Sequence, residues 1–203
     1  MSNSGPLIHL AKADLIEVLT TLYRVDIPVE VKEEVVDRGK EMGFSDALLV
    51  EKAIREGLIR VVEVKVEESF ASVARRAGLH QAETAVIFHA LKNNALVLLD
   101  EDAAREFAKA LGLRIRGSIG LLLEALKKGL LKPTEALEKL DVLAETMYLS
   151  SDVYRVARKE IERSRQKEFA EASLMRRNLV NPYACKFSKK PLHKNSWNMR
   201  SST

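Results

Sequence analysis

Three acidic residues in a row, Asp100-Glu101-Asp102, follow an uninterrupted apolar run, Ala95-Leu96-Val97-Leu98-Leu99. Adjacent carboxylates repel, and a folded chain keeps them together with a cation, a proton or solvent between them. The apolar run reads as a strand buried on both faces of a parallel sheet. Such sheets build their sites beyond the carboxyl ends of their strands. The chemistry open to the triplet is therefore cation binding. The plain alternative is an acidic start to the helix Ala103–Leu111, which needs no ligand.

The elements around the triplet alternate. Leu7–Tyr23 carries apolar residues at a helical period, Val25-Asp26-Ile27 is extended, and Pro28 suits the first turn of a helix reaching Asp37. Gly39 and Gly43 bracket a loop, and Ser45-Asp46 starts a helix that ends near Gly57. Leu58–Val66 alternates and is β-branched, as a strand requires. A short helix at Phe70–Ala77 precedes a longer one at Gln81–Lys92, which Asn93-Asn94 breaks. Leu113–Arg116 is a short strand, and Ser118 caps the helix after it. Pro133–Leu140 and Val153–Arg165 are the last helices. This order predicts an α/β fold, a three-layer α/β/α sandwich on a short, mostly parallel sheet.

Composition narrows the function. One cysteine, Cys185, excludes an intramolecular disulfide framework and a CxxC zinc site. His9, His80, His89 and His193 lack ligand spacing and read as ordinary surface or packed histidines. No GxGxxG follows a strand, which argues against a Rossmann-type nucleotide binder. No apolar run reaches the ~18–20 residues of a membrane span, and the start lacks the pattern of a signal peptide, so a cytoplasmic location is expected. Residues 171–203 hold seven basic groups against one acid, which leaves the first 170 residues at −2 although the whole chain is +4. The expected division is thus a domain over 1–165 and a basic tail over 166–203, disordered or loosely docked.

Four segments, in order, resemble the PIN-domain superfamily, in the VapC-like branch common in archaea. They are Ser2-Asn3-Ser4-Gly5-Pro6-Leu7-Ile8; Ile27-Pro28-Val29-Glu30-Val31-Lys32-Glu33-Glu34-Val35; Gln81-Ala82-Glu83-Thr84-Ala85; and Leu98-Leu99-Asp100-Glu101-Asp102-Ala103-Ala104-Arg105, with Gly117-Ser118-Ile119-Gly120 behind it. The likeness covers about residues 2–165. It implies a Mg²⁺- or Mn²⁺-dependent endoribonuclease of the toxin–antitoxin type. By that resemblance Asn3, Glu34, Glu83, Asp100 and Glu101 form the metal-binding and catalytic shell, and Ser4, Gln81 and Ser118 lie close enough to contact phosphate or water. It also implies an RNA substrate, a small antitoxin partner and a homodimer.

The chain departs from the family pattern at Asn3 and Gln81, which keep an oxygen ligand and lose its charge. Glu83 substitutes for Gln81 only in part, because residues two apart on a helix point about 200° apart. Weakened catalysis is one consequence. The alternative is a catalytically degenerate PIN scaffold that binds RNA or protein. A second departure is the start: only Met1 and Ser2 precede Asn3, so the family's central first strand is very short here, or the numbering trims it. The plain readings also stay open, with Glu33 and Glu34 as solvated helix charges and Glu83 as a favourable charge at its helix N-terminus.

Overall fold

The structure, a computed structural model, describes residues 1–180. The chain divides into two units, Met1–Arg165 and Gln166–Thr203. In order, the elements are α1 (Ser4–Lys12), α2 (Ile16–Leu22), β1 (Val25–Pro28), α3 (Val29–Lys32), a π-helical turn (Glu33–Asp37), α4 (Arg38–Glu41), α5 (Ser45–Arg55), β2 (Ile59–Val62), α6 (Glu68–Arg76), α7 (Gln81–Asn93), β3 (Val97–Leu98), α8 (Asp102–Ala110), β4 (Ile115–Arg116), α9 (Ser118–Lys127), α10 (Pro133–Thr146) and α11 (Ser151–Val180).

The sheet is parallel and built from very short pieces. β1 pairs with β2, Val25 opposite Ile59 through Pro28 opposite Val62. β3 pairs with β4, Val97 opposite Ile115 and Leu98 opposite Arg116. The segment Met1–Asn3 runs between the two pairs. Ser2 N–H donates to Asp26 O at 3.2 Å on one side, while Leu98 N–H donates to Met1 O at 2.8 Å and Asn3 N–H to Leu98 O at 3.2 Å on the other. Three residues thus fill the central position of a sheet ordered β2, β1, Met1–Asn3, β3, β4.

Helices cover both faces, giving the α/β/α sandwich. The layer of α6, α7 and α8 shares an aromatic cluster, with Phe70 5.1 Å from Phe88 and 5.9 Å from Phe107 between ring centroids. On the other side α1 packs on α5, α9 and α10. Leu7, Leu10, Ile27, Ile59, Ile87, Leu99, Leu122 and Leu143 are fully buried between these layers. Burial of each such side chain contributes roughly 1.5–3 kcal/mol, and with strands this short the helices carry most of the fold.

Several elements differ from the sequence reading. The segment expected as one helix, Leu7–Tyr23, is two. Asp14 takes φ 52°, and Leu15 N–H closes back on Leu10 O at 2.8 Å, the left-handed ending of α1. Leu10, Leu15 and Leu19 still face one core, so the apolar period runs through the break. Gly39 does not bracket a loop. It is buried inside α4, where a Cβ would stand 2.8 Å from that of Ala47, so the missing side chain lets α4 and α5 touch. β2 ends at Val62 although the alternation continues to Val66, and α10 runs on to Thr146. α11 passes the expected end at Arg165 and includes 166–180, which fall in the expected tail. The remainder of that tail, 181–203, lies outside the described residues.

Candidate active site

In a parallel sheet every strand ends along the same edge, so the residues just past those ends are gathered together. Asn3 follows the central segment, Asp100 follows β3, and Gly117-Ser118 follow β4. Glu34 reaches them from the π-helical turn after β1, where the Ser4 hydroxyl donates to its Oε2 at 2.5 Å. A π turn inserts one residue into the helical ladder and often marks a functional position. Here it aligns residues five apart, and Lys32 Nζ meets both Asp37 oxygens at 2.9 and 2.8 Å.

Asp100 is the most constrained side chain of this group. Its Oδ1 accepts from Ser118 N–H at 2.8 Å, and its Oδ2 accepts from Ser118 Oγ at 2.6 Å. His9 Nδ1 also lies 2.7 Å from Oδ2. The carboxylate therefore sits at the N-terminus of α9, where the free N–H groups and the helix dipole favour negative charge. Ser118, expected as a helix cap, is instead the first residue of α9 behind Gly117. Gly117 has a definite reason: a Cβ there would stand 3.0 Å from Asp100 Oδ1 and 3.0 Å from Arg105 Nη1. Arg105 donates from Nη1 to Leu99 O at 2.8 Å, which places a guanidinium beside the acid.

Burial pushes the Asp100 carboxyl up, but the hydrogen bonds from His9 and Ser118 outweigh it and hold the group below the usual carboxylate range. The consequence for stability has a definite sign. The unfolded chain binds the proton first as pH falls, so Asp100 stabilises the fold above its unfolded value, about 3.9, and that contribution disappears as pH drops through the lower folded value. Urea midpoints measured between pH 6 and pH 2.5 should fall more steeply for the wild-type protein than for Asp100→Asn. Parallel pH profiles would contradict the assignment.

Asn3 is 5% exposed, and its Oδ1 is buried without a hydrogen-bond partner among the described residues. A buried acceptor left unpaired is rare in native folds and costs free energy unless something fills it. Asn3 Oδ1, the Glu34 carboxylate and the remaining lone pairs of Asp100 Oδ1 are all hard oxygens, the donor type that suits Mg²⁺ or Mn²⁺. In donor type the set fits such an ion. Among the described residues, however, no three His, Cys, Asp or Glu side chains converge as a metal-holding group.

The other candidates make different contacts. Glu83 is buried and closes its own helix, its Oε2 accepting from His80 N–H at 3.0 Å, in line with the plain reading of that residue. Glu101 is exposed at the N-cap of α8. Gln81 is exposed at the start of α7 and lines a cavity with Glu30, Arg75 and Thr84. Among the described residues no hydrogen bond or ion pair ties any of the three to Asn3, Glu34 or Asp100. The structure adds two residues the sequence did not single out, His9 and Arg105. No spacing signal marks His9; only the fold brings α1 beside β3.

A family model described as a PIN domain, DUF3368, matches residues 1–163. No curated protein and no solved structure matches the chain. Among the described residues no helix is long and apolar enough to cross a membrane.

Proposed function

The chain belongs to the PIN-domain family, and we propose that it is an endoribonuclease acting on single-stranded RNA with Mg²⁺ or Mn²⁺ as cofactor. PIN domains have a nuclease-type fold and generally use divalent metals. The observation that carries the reading is the buried, unpartnered Oδ1 of Asn3 on the edge that also bears Glu34 and Asp100. Asn3, Glu34 and Asp100 would hold the ion. When bound it supplies an activated water and offsets charge on the scissile phosphate. Ser4 orients Glu34, while Ser118 and His9 fix both oxygens of Asp100. Arg105 sets a permanent positive charge next to that carboxylate. The toxin role, a small antitoxin that occludes this edge, and a homodimer rest on the resemblance to the VapC-like branch.

A second reading, a PIN scaffold that binds RNA or protein without cleaving, is favoured by one feature. The position where the family carries an acid is Gln81, and Glu83 is committed to its helix N-terminus. Asn3→Asp separates the two readings. It buries a charge that only a cation would balance, so the variant should melt several degrees below wild type without metal. Mn²⁺ should then raise its Tm more than it raises that of wild type. Cleavage of a fluorophore–quencher RNA should rise about tenfold, since one extra charge at a cation site is worth more than 1.4 kcal/mol. If Mn²⁺ leaves both melting curves unmoved and both proteins retain intact RNA, the scaffold reading stands and the enzyme reading falls.

A further inference from the structure

A cavity of about 470 Å³ is lined by Gln81, one of the residues expected to contact phosphate or water, and not by Asn3, Glu34 or Asp100. Its apolar lining is Val64 and Val66 after β2, Ala71 in α6 and Leu79 before α7, and four polar residues line it as well: Glu30, Arg75, Gln81 and Thr84. Glu30 lies in α3, four residues before Glu34 on the same helical run. Glu30 thus ties the cavity to the helical run that carries Glu34. The cavity's size falls within the ~300–1,000 Å³ of small-molecule sites, and its lining is half apolar and half polar.

The polar groups define what fits. Glu30 is acceptor-only as a carboxylate, Gln81 offers one acceptor and two donors, and Arg75 offers donors alone. Arg75 spends one of these on exposed Glu68 at 3.1 Å, and the rest of the fork stays available. A flat heterocycle between Val64, Val66 and Leu79 would present its edge to Glu30 and Gln81 and its phosphate to Arg75. The edge that satisfies a carboxylate best carries two adjacent N–H donors, with a carbonyl beside them for the Gln81 amide. Guanine has that edge. Single-stranded RNA is read in this way, by splayed bases hydrogen-bonded on their Watson–Crick edges.

We propose that this cavity seats a guanine of the RNA next to the cleaved bond and gives the protein a base preference. The RNA in that statement rests on the ribonuclease reading; the base selectivity is measured without it. GMP, AMP, CMP and UMP are titrated into the full chain and followed by calorimetry. GMP is expected to bind about tenfold more tightly than the other three. Glu30→Gln, isosteric and on a half-buried side chain, should erase the preference. Val66→Trp, checked for folding by its melting curve, should fill the cavity and abolish GMP binding. Equal affinities for the four nucleotides, or a GMP affinity that neither variant changes, overturn the proposal. A protein inert toward RNA that still selects GMP through Glu30 would sink the nuclease reading and leave the guanine pocket standing. A protein that cleaves RNA with no GMP preference sinks the pocket alone.

Discussion

Asp100→Asn should leave a folded protein that cleaves single-stranded RNA at least about 100-fold more slowly at saturating Mn²⁺, because losing roughly 3 kcal/mol of charge stabilisation costs that much in rate. The substitution keeps shape and removes charge. Asn Oδ1 can still accept from Ser118 N–H, and its Nδ2 can donate to Ser118 Oγ, so the two contacts that anchor the strand end to α9 survive. The Ser118 Oγ contact reverses direction, its oxygen turning from donor to acceptor, and the His9 contact changes likewise, with Nδ1 turning from donor to acceptor. Stability should therefore fall by only about 1 kcal/mol, the net worth of a typical hydrogen bond. Single-turnover cleavage beside a urea titration measures both quantities. A rate within threefold of wild type would remove Asp100 from the chemistry, whatever the titration gave.

How far residue types alone lead is best seen in the difference between Asp100 and Glu34. Asp100 is legible because a run of five apolar residues reads as a buried strand, of which Val97–Leu98 forms one, and a parallel strand delivers the residues after it to the site edge. Glu34 is visible as an acid on a helix and nothing more. Its position depends on a π turn, in which hydrogen bonds slip from i−4 to i−5, and no residue type marks that slip. His9 is legible still less, since its partner lies 91 residues away and the contact exists only once α1 crosses β3. Glu83 carried two readings with one signature, because an acid in the first turn of a helix serves as ligand or as cap equally well in sequence. The break at Asp14 was hidden for a different reason: the apolar period continues through it, and periodicity reports burial rather than continuity. The cavity beside Glu30 joins residues from α3, the segment after β2, α6 and the start of α7. It is a property of packing, with no local trace.

The sheet that carries these residues is too short to hold them by its own hydrogen bonds, so the position of Asp100 depends on what lies beneath it. Leu99 is that support. It is fully buried, its N–H donates to Arg116 O at 2.9 Å, and its carbonyl accepts from Arg105. Leu99→Ala should cost about 3 kcal/mol through lost transfer energy and the cavity left behind, read as a lower urea midpoint at unchanged slope. It should also slow cleavage about tenfold or more in protein that remains folded, since a shift of about 1 Å in a reacting group has effects of that order. Leu143→Ala supplies the comparison. Leu143 is buried as fully, in α10, which contributes no side chain to the site. It should lose similar stability and keep its rate per folded molecule. If both variants cleave at the same rate when folded, the strand end does not position the carboxylate, and the ordering of Asp100 must come from α9 and His9 alone.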